Sequence, residues 1–138
     1  MSLTIAEKIL ARTSGKKEVA AGDFVTAKPD IYMSHEGLAE VASILDSIGV
    51  KKIPNPDRVV ALLDHKVPPP SIQAAEVAKK VRKFVKEYGI KNWHNWNAGI
   101  CHQILAEKGH ARPGLLIVGT DSHTTTAGAF NAAVRSEG

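Results

Sequence analysis

The sequence predicts an α/β fold with a mostly parallel sheet flanked by helices. Apolar residues at helical spacing alternate along the chain with short apolar runs, and two of those runs are continuously apolar, as is typical of strands buried on both faces. Strands that alternate with helices favour a parallel sheet. The chain has 138 residues, 43% of them apolar, so we expect one α/β domain over residues 1–138.

Capping signals and apolar spacing predict three helices. Thr4 and Glu7 form a capping box that opens the first helix. Ser71 is a favourable N-cap for the third, and Gly49 suits the left-handed end of the second. The predicted helices run from Thr4 to Gly15, from Leu38 to Gly49 and from Ser71 to Gly89.

Three short apolar segments are predicted to be strands: Phe24–Ala27, Val59–Leu63 and Leu115–Val118. The second leads into residues 64–65 (Asp-His), and the third leads, two residues later, into residues 121–123 (Asp-Ser-His). In open α/β sheets the active cleft lies at the carboxyl ends of the strands. We therefore expect both Asp–His clusters to face one crevice.

Composition and charge argue against several classes of function. The net charge is +4, and the densest basic cluster falls on the predicted third helix. We interpret this cluster as a solvated helix face rather than a nucleic-acid site. That cluster consists of Lys79, Lys80, Arg82, Lys83 and Lys86. No apolar run approaches the roughly 18 residues of a membrane span. We expect no nucleic-acid or membrane partner.

The single cysteine, Cys101, indicates a cytoplasmic protein without a disulfide framework. One thiol cannot form an internal disulfide or supply the ligands of an iron–sulfur cluster. We interpret Cys101 as a small buried hydrophobe rather than a nucleophile or a metal ligand.

A carboxylate beside an imidazole has a defined chemical use. It fixes the ring tautomer and raises the imidazole pKa, which keeps a proton ready for a poor leaving group such as hydroxide. Asp64 is able to orient His65 or a histidine from elsewhere, and His102 in "GICHQ" is the third candidate. Taken alone, each cluster is better explained by a turn with a satisfied histidine, and Asp121-Ser122 by an Asx turn or a helix N-cap.

Other chemistries have weaker support. A zinc site made from His65, His102 and His123 is possible by count but lacks diagnostic spacing. A serine hydrolase would need a glycine two residues after Ser122, and His123-Thr124 stands there instead. No P-loop and no dinucleotide-binding glycine motif is present in the sequence. Two further histidines are interpreted as packing or loop-surface residues: His94 and His110.

Four stretches resemble the N-terminal part of the aconitase superfamily, in particular its 3-isopropylmalate dehydratase large subunits and homoaconitases. They are "TIAEKILARTSGKKEVAAGDFVTAKPD" (4–30), "LLDHKVPPPS" (62–71), "GICHQILAEKG" (99–109) and "GLLIVGTDSHTTTAGAF" (114–130). The resemblance implies a hydro-lyase that reversibly dehydrates a small hydroxy-carboxylic acid, with a [4Fe-4S] cluster whose open iron acts as a Lewis acid.

The resemblance also implies roles for particular residues. Asp64 and His65 match the pair that protonates the departing hydroxyl, and His102 and Asp121 match a second hydrogen-bonded pair. Three residues match substrate- or cluster-facing positions: His35, Ser122 and His123. None of the residues matched to these roles is a lysine or an arginine, so the electrophile is expected to be the metal.

The sequence also departs from the family pattern. The family's cluster cysteines lie downstream, and Cys101 matches none of them. Its serine base and substrate-binding arginines come from a swivelling domain or small subunit. We therefore expect an N-terminal fragment of a larger subunit that binds no cluster and has no turnover by itself. Residues 1–3 and 137–138 are interpreted as remnants of cloning.

Two other classes remain open at this stage. A stand-alone binding module would have kept the fold and lost the chemistry, and a zinc-dependent hydrolase would use the same histidines. Within the hydro-lyase class, the favoured reaction is the interconversion of 3-isopropylmalate and 2-isopropylmalate in leucine biosynthesis, and a homoaconitase is the alternative. The small subunit is expected to read the group that distinguishes these substrates, so this chain does not choose between them.

Overall fold

The site is positioned by a five-stranded sheet, which the computed structural model describes within residues 3–137. The strands are β1 (Ile31–Ser34), β2 (Val59–Leu62), β3 (Asn92–His94), β4 (Leu116–Gly119) and β5 (Ala133–Ser136). Their order in the sheet is β3-β2-β1-β4-β5, and all neighbours are parallel. The predicted α/β fold with a parallel sheet is confirmed.

Helices cover the sheet and carry the chain from strand to strand. They are α1 (Ile5–Ser14), α2 (Leu38–Ser47), α3 (Ile72–Glu87) and α4 (Cys101–Glu107), with 3₁₀ segments at Pro56–Arg58 and Ser122–Phe130. The three predicted helices are confirmed, and their caps form as expected: Thr4 accepts from the Glu7 N–H at 3.2 Å, and Ser71 accepts from the Ala74 N–H at 3.1 Å. None of the helices within residues 3–137 has the length and apolarity needed to cross a membrane.

The two faces of the sheet bury separate apolar clusters. Successive residues of a strand point to opposite faces. Val60 and Leu62 pack against α4, whereas Ala61 and Leu63 pack against α2 and α3. All four of these side chains are at most 1% exposed. Burial on both faces explains why this stretch of sequence is apolar at every position.

The order of the strands creates a crevice at their carboxyl ends. The chain enters the sheet at the central strand β1, proceeds to β2 and β3, and then crosses back to β4 and β5. The connection through α2 lies on one face and the connection through α4 on the other. In such sheets ligands bind where the connections diverge, which here is between β1 and β4.

The predicted strand Phe24–Ala27 is wrong, and the central strand β1 was missed. Residues 24–27 are irregular, and Phe24 is 98% exposed. A strand forms only where neighbouring strands can pair with it. Residues 31–34 have such neighbours, since Tyr32 of β1 aligns with Val59 of β2 on one side and with Val118 of β4 on the other. The prediction also missed α4, which has no side-chain cap at Ile100, and the two edge strands β3 and β5.

The predicted cloning remnants fall at the two ends of the chain. Met1, Ser2 and Gly138 lie outside the described residues. Glu137 donates its N–H to the Gly119 carbonyl at 2.8 Å and so continues the pairing between β5 and β4.

Candidate active site

The carboxyl edge of the sheet gathers the polar residues that sequence reasoning singled out. His35 follows β1, Asp64 and His65 follow β2, Asp121 follows β4, and His102 lies in the first turn of α4. The structure brings together all seven named residues: His35, Asp64, His65, His102, Asp121, Ser122 and His123. Asp121 is buried, and His35, Asp64 and His102 are half-buried. The other three residues are exposed: His65, Ser122 and His123.

The carboxylate of Asp121 is the common partner of the imidazoles. Its Oδ2 lies 3.0 Å from His65 Nε2, and its Oδ1 lies 2.9 Å from His102 Nε2. Oδ1 also accepts from the His123 N–H at 2.7 Å. A third imidazole, that of His35, approaches Oδ2 through Nε2 at 3.8 Å. One buried carboxylate, 8% exposed, thus holds side chains from three parts of the fold.

Local backbone geometry aims Asp121 into the crevice. Asp121 is the N-cap of the 3₁₀ segment Ser122–Phe130, so its side chain turns back to accept from the His123 N–H. The Asp121 carbonyl accepts from the hydroxyl groups of Thr124 and Ser136. Thr124 is 0% exposed, and it packs so tightly against Gly119 that a Cβ there would lie 2.4 Å from Thr124 Oγ1.

Asp121 is held in its ionised form. Burial by itself would raise the pKa of the carboxyl group, but the His123 N–H and the charges of His102 and His65 outweigh burial and lower that pKa. The carboxylate is therefore a fixed negative charge between two imidazoles at neutral pH.

His65 lies between two carboxylates. Its Nδ1 is 2.8 Å from Asp64 Oδ1, while its Nε2 contacts Asp121. The other oxygen of Asp64 accepts from the Cys101 N–H at the start of α4, which ties the end of β2 to that helix. Burial would lower the pKa of His65, but the hydrogen bond and charge of Asp64 and the charge of Asp121 raise it. The ring is 40% exposed, so it remains accessible from the crevice.

Glu36 belongs to this site, and sequence reasoning missed it. Its carboxylate accepts from the Lys66 N–H at 3.0 Å and lies 3.4 Å from His35 Nδ1. The His35 ring in turn stacks on that of His65, with centroids 4.2 Å apart. The sequence signal for Glu36 was its position directly after a histidine at the end of a strand. This signal was missed because β1 had not been predicted as a strand.

Ser122 and His123 form the open rim of the site. Ser122 Oγ lies 3.3 Å from His123 Nδ1, and the His123 side chain is 79% exposed. The His123 ring meets that of His102 edge-on, with centroids 6.1 Å apart. The side chains of these two residues are therefore open to solvent at the edge of the site.

Among residues 3–137, three groups of side chains bring possible metal-ligating atoms within 4.8 Å of one another. They are His35-His65-Asp121, Asp64-His65-Cys101 and His102-Asp121-His123. The zinc trio considered from the sequence does not form such a group in the described part of the chain. Cys101 is 0% exposed, and burial together with Asp64 raises the pKa of its thiol, so a thiolate is not available.

Two other histidines, His94 and His110, contact each other near the end of β3. His94 and His110 are half-buried, with their Nε2 atoms 3.2 Å apart. Burial lowers the pKa of both rings, with further contributions from neighbouring charges such as Lys108. His110 lies in a loop, as interpreted, but it is half-buried because it contacts His94 at the end of β3.

The sequence was compared with known proteins. The family model described as "Aconitase family (aconitate hydratase)" matches residues 7–135. The 3-isopropylmalate dehydratase large subunit of Aquifex aeolicus is 48% identical over 133 residues, and the 3-isopropylmalate dehydratase large subunit 1 of Methanopyrus kandleri is 47% identical over 133 residues. The methanogen homoaconitase large subunit of Methanocaldococcus jannaschii is 44% identical over 130 residues.

These relatives are much longer than the chain. The first two alignments cover 96% of the chain but only 31% and 32% of the relatives, and the third covers 94% and 30%. The chain therefore spans about a third of the length of the curated relatives it matches.

Proposed function

Because the chain belongs to the aconitase family, we propose that it is the N-terminal part of a hydro-lyase that reversibly dehydrates a small hydroxy-carboxylic acid. The favoured reaction is the interconversion of 3-isopropylmalate and 2-isopropylmalate in leucine biosynthesis, since two relatives named for that dehydratase are 47% and 48% identical to the chain, against 44% for the homoaconitase compared above. A homoaconitase reaction is the alternative. The observation that carries the proposal is the imidazole of His65 held between the carboxylates of Asp64 and Asp121.

Loss of water from a hydroxy acid needs a proton for the departing hydroxide. His65 is suited to supply it, because the two carboxylates raise its pKa and so enlarge the protonated fraction near neutral pH. Asp64 holds Nδ1, which leaves Nε2 as the atom that shares its proton with Asp121 or with a substrate oxygen. The partial exposure of the ring provides the path for substrate.

Asp121 and His102 form the second pair of the proposed mechanism. Asp121 keeps its negative charge and so balances positive charge on either imidazole as a proton moves. At the mouth of the crevice, His35, Ser122 and His123 are the proposed contacts for the carboxylate and hydroxyl groups of the substrate.

The family implies a [4Fe-4S] cluster in the whole enzyme, where a bound cluster supplies Lewis-acid chemistry toward the hydroxyl and carboxylate groups. This chain does not fit as the source of the ligands, because Cys101 is its one cysteine and its buried thiol stays protonated. Part of the proposal is therefore that the cluster ligands come from the protein beyond residue 138. We expect residues 1–138 to bind no cluster.

The same reasoning extends to partners and location. The relatives are named as large subunits, and we propose that a small subunit or swivelling domain completes the site at the rim formed by Ser122 and His123. We place the enzyme in the cytoplasm, where a reducing environment suits a free thiol such as Cys101.

The test is an assay of the complete enzyme. The full-length large subunit that contains this chain is combined with its small subunit, reconstituted anaerobically with iron and sulfide, and supplied with 3-isopropylmalate. The unsaturated product is followed by its ultraviolet absorbance. We expect dehydration by the complete enzyme and none by residues 1–138 alone.

Two results would contradict the proposal. One is turnover by residues 1–138 under the same conditions, and the other is a His65→Asn enzyme that remains as active as the wild type. A zinc-dependent hydrolase would instead retain stoichiometric zinc in purified residues 1–138. A binding module would bind the hydroxy acid and leave the complete protein without turnover.

A further inference from the structure

Glu36 is a buried carboxylate to which the proposed reaction assigns no step. It is 7% exposed and lies between the end of β1 and the first turn of α2. A carboxylate is unfavourable in such a position unless hydrogen bonds or opposite charges compensate for lost hydration. Its contacts therefore indicate what it does.

The two oxygens of Glu36 face different parts of the site. Oε1 accepts from the Lys66 N–H at 3.0 Å, which fixes the backbone just after His65. Oε2 lies 3.4 Å from His35 Nδ1. Both Oε2 and Nδ1 are buried, and neither has a hydrogen-bond partner among the described residues. A small rotation of the ring with a proton on Nδ1 satisfies both atoms at once.

The orientation of His35 matters because the ring reaches the centre of the site. It stacks on the His65 ring with an interplanar angle of 22°, and its Nε2 points toward Asp121 Oδ2 at 3.8 Å. A ring that carried its neutral-state proton on Nε2 would present a donor to Asp121 and a lone pair to Glu36. That Nε2–H tautomer leaves buried Glu36 Oε2, which has no other partner among the described residues, 3.4 Å from a lone pair. The Nδ1–H tautomer places a lone pair 3.8 Å from Asp121 instead, where His65 and His102 already contact both carboxylate oxygens.

We propose that Glu36 is a positioning residue that fixes His35 in its Nδ1–H tautomer and holds the backbone after His65 at the same time. Nε2 of His35 is then the atom presented to the crevice, where the proposed function places the substrate. One carboxylate thereby orients two stacked imidazoles that come from different strands.

The substitution Glu36→Gln gives a sharp test. The Lys66 N–H is a donor, so in Glu36→Gln it continues to donate to the single side-chain oxygen of glutamine. The amide NH₂ of the glutamine then faces His35 Nδ1. A donor in that place requires an unprotonated Nδ1 and reverses the tautomer. The matched control is Glu40→Gln, which removes the same charge from an exposed position in the first turn of α2.

The readout is the pair of ¹⁵N resonances of the His35 ring in residues 1–138, recorded at a pH where the ring is neutral. We expect a protonated Nδ1 in the wild type and in Glu40→Gln, and a protonated Nε2 in Glu36→Gln. A wild-type ring protonated at Nε2 overturns the proposal, whether or not the variant folds. A folded Glu36→Gln protein with an unchanged tautomer also overturns it.

A second readout connects the tautomer to substrate and rests on the proposed function. In the complete enzyme, Glu36→Gln is expected to raise KM for the hydroxy acid more than it lowers kcat. If the tautomer reverses but the complete wild-type enzyme does not dehydrate the acid, the proposed function fails and the role of Glu36 stands. If the wild type is active and the tautomer does not reverse, the role of Glu36 fails alone.

Discussion

His65 and Asp121 are 56 positions apart in the sequence, and their Nε2 and Oδ2 atoms lie 3.0 Å apart. They follow β2 and β4, which are not neighbours, since β1 lies between them in the sheet. The contact therefore spans the end of the central strand, where His35 stacks on the His65 ring. The crevice exists because the chain continues from β1 to β2 on one side of that strand and later returns to form β4 on the opposite side of β1.

Asp121→Asn is expected to lower kcat of the complete enzyme by roughly 10²–10⁴-fold, the usual range for general acid–base catalysis. The single amide oxygen is still able to accept from the His123 N–H, so the fold is retained. It cannot serve His65 and His102 as well, and it provides no charge for a protonated ring. The measurement is the steady-state dehydration rate, with exposed Asp46→Asn as the control. Near-wild-type activity of Asp121→Asn would refute the role of this carboxylate.

Stability is expected to depend on pH through His65. Its pKa in the folded protein is raised above the ordinary 6.5, so its protonated form stabilises the fold. This contribution is fully present below pH 6.5 and is lost as the pH rises through the folded-state pKa. Denaturant unfolding of wild type and His65→Asn is measured between about pH 5 and pH 9. The stability difference between them is expected to shrink as the pH rises.

His94 provides a comparison of opposite sign. Burial lowers its pKa in the folded protein, so its neutral form is the one compatible with the fold. The stabilisation is present above the ordinary pKa and is lost as the pH falls through the folded-state pKa. Both substitutions are expected to change the pH dependence of the free energy of unfolding, but in opposite directions. If His65→Asn and His94→Asn change it in the same direction, the assignment of charge around His65 is wrong.

Local signals account for the part of the fold that the sequence predicted. The capping box at Thr4 and the N-cap at Ser71 involve residues three positions apart, and both caps form. The strand β1 could not be found in this way. Its four residues are followed directly by a polar His-Glu pair, and its partners Val59 and Val118 lie far along the chain. Only the assembled sheet identifies Ile31–Ser34 as the central strand.

The site was predictable to the extent that it follows recognised strands. The runs that end before Asp64 and Asp121 were identified, and parallel strands bring their carboxyl ends to one edge. The position of His102 against Asp121 depends on α4, which the spacing of apolar residues did not reveal. His102 was a candidate because of the "GICHQ" motif. Glu36 was missed because its importance depends on the backbone of Lys66, 30 residues away.

Acid conditions are expected to destabilise the protein through Glu36. Burial alone would raise the pKa of Glu36, but the His35 ring 3.4 Å away and the hydrogen bonds from backbone N–H groups outweigh burial and lower that pKa from 4.5 to about 2. A lowered pKa stabilises the fold above pH 4.5, and that contribution is lost as the pH falls toward 2. The stability difference between wild type and Glu36→Gln is expected to shrink over this range, by up to about 3 kcal/mol. Glu40→Gln is expected to have the same dependence of stability on pH below 4.5 as the wild type.

The close approach of Gly119 to Thr124 supports the position of Asp121. A Cβ at residue 119 would lie 2.4 Å from Thr124 Oγ1 and 2.5 Å from its Cγ2, so Gly119→Ala forces the 3₁₀ segment away from β4. Overpacking of this kind costs about 1–3 kcal/mol in the free energy of unfolding. Since Asp121 caps the same segment, we expect the displacement to weaken its contacts with the imidazoles as well.

Gly128→Ala is the matched control for this effect. Apart from its two chain neighbours and the backbone of its own helical segment, no described residue lies within 4 Å of a Cβ built at Gly128, which belongs to the same 3₁₀ segment. Denaturant unfolding is expected to show a loss of stability for Gly119→Ala and little change for Gly128→Ala. Thr124→Ala in the Gly119→Ala background removes the two closest atoms and is expected to restore part of the stability. If Gly119→Ala is as stable as the wild type, packing between β4 and the 3₁₀ segment does not position Asp121.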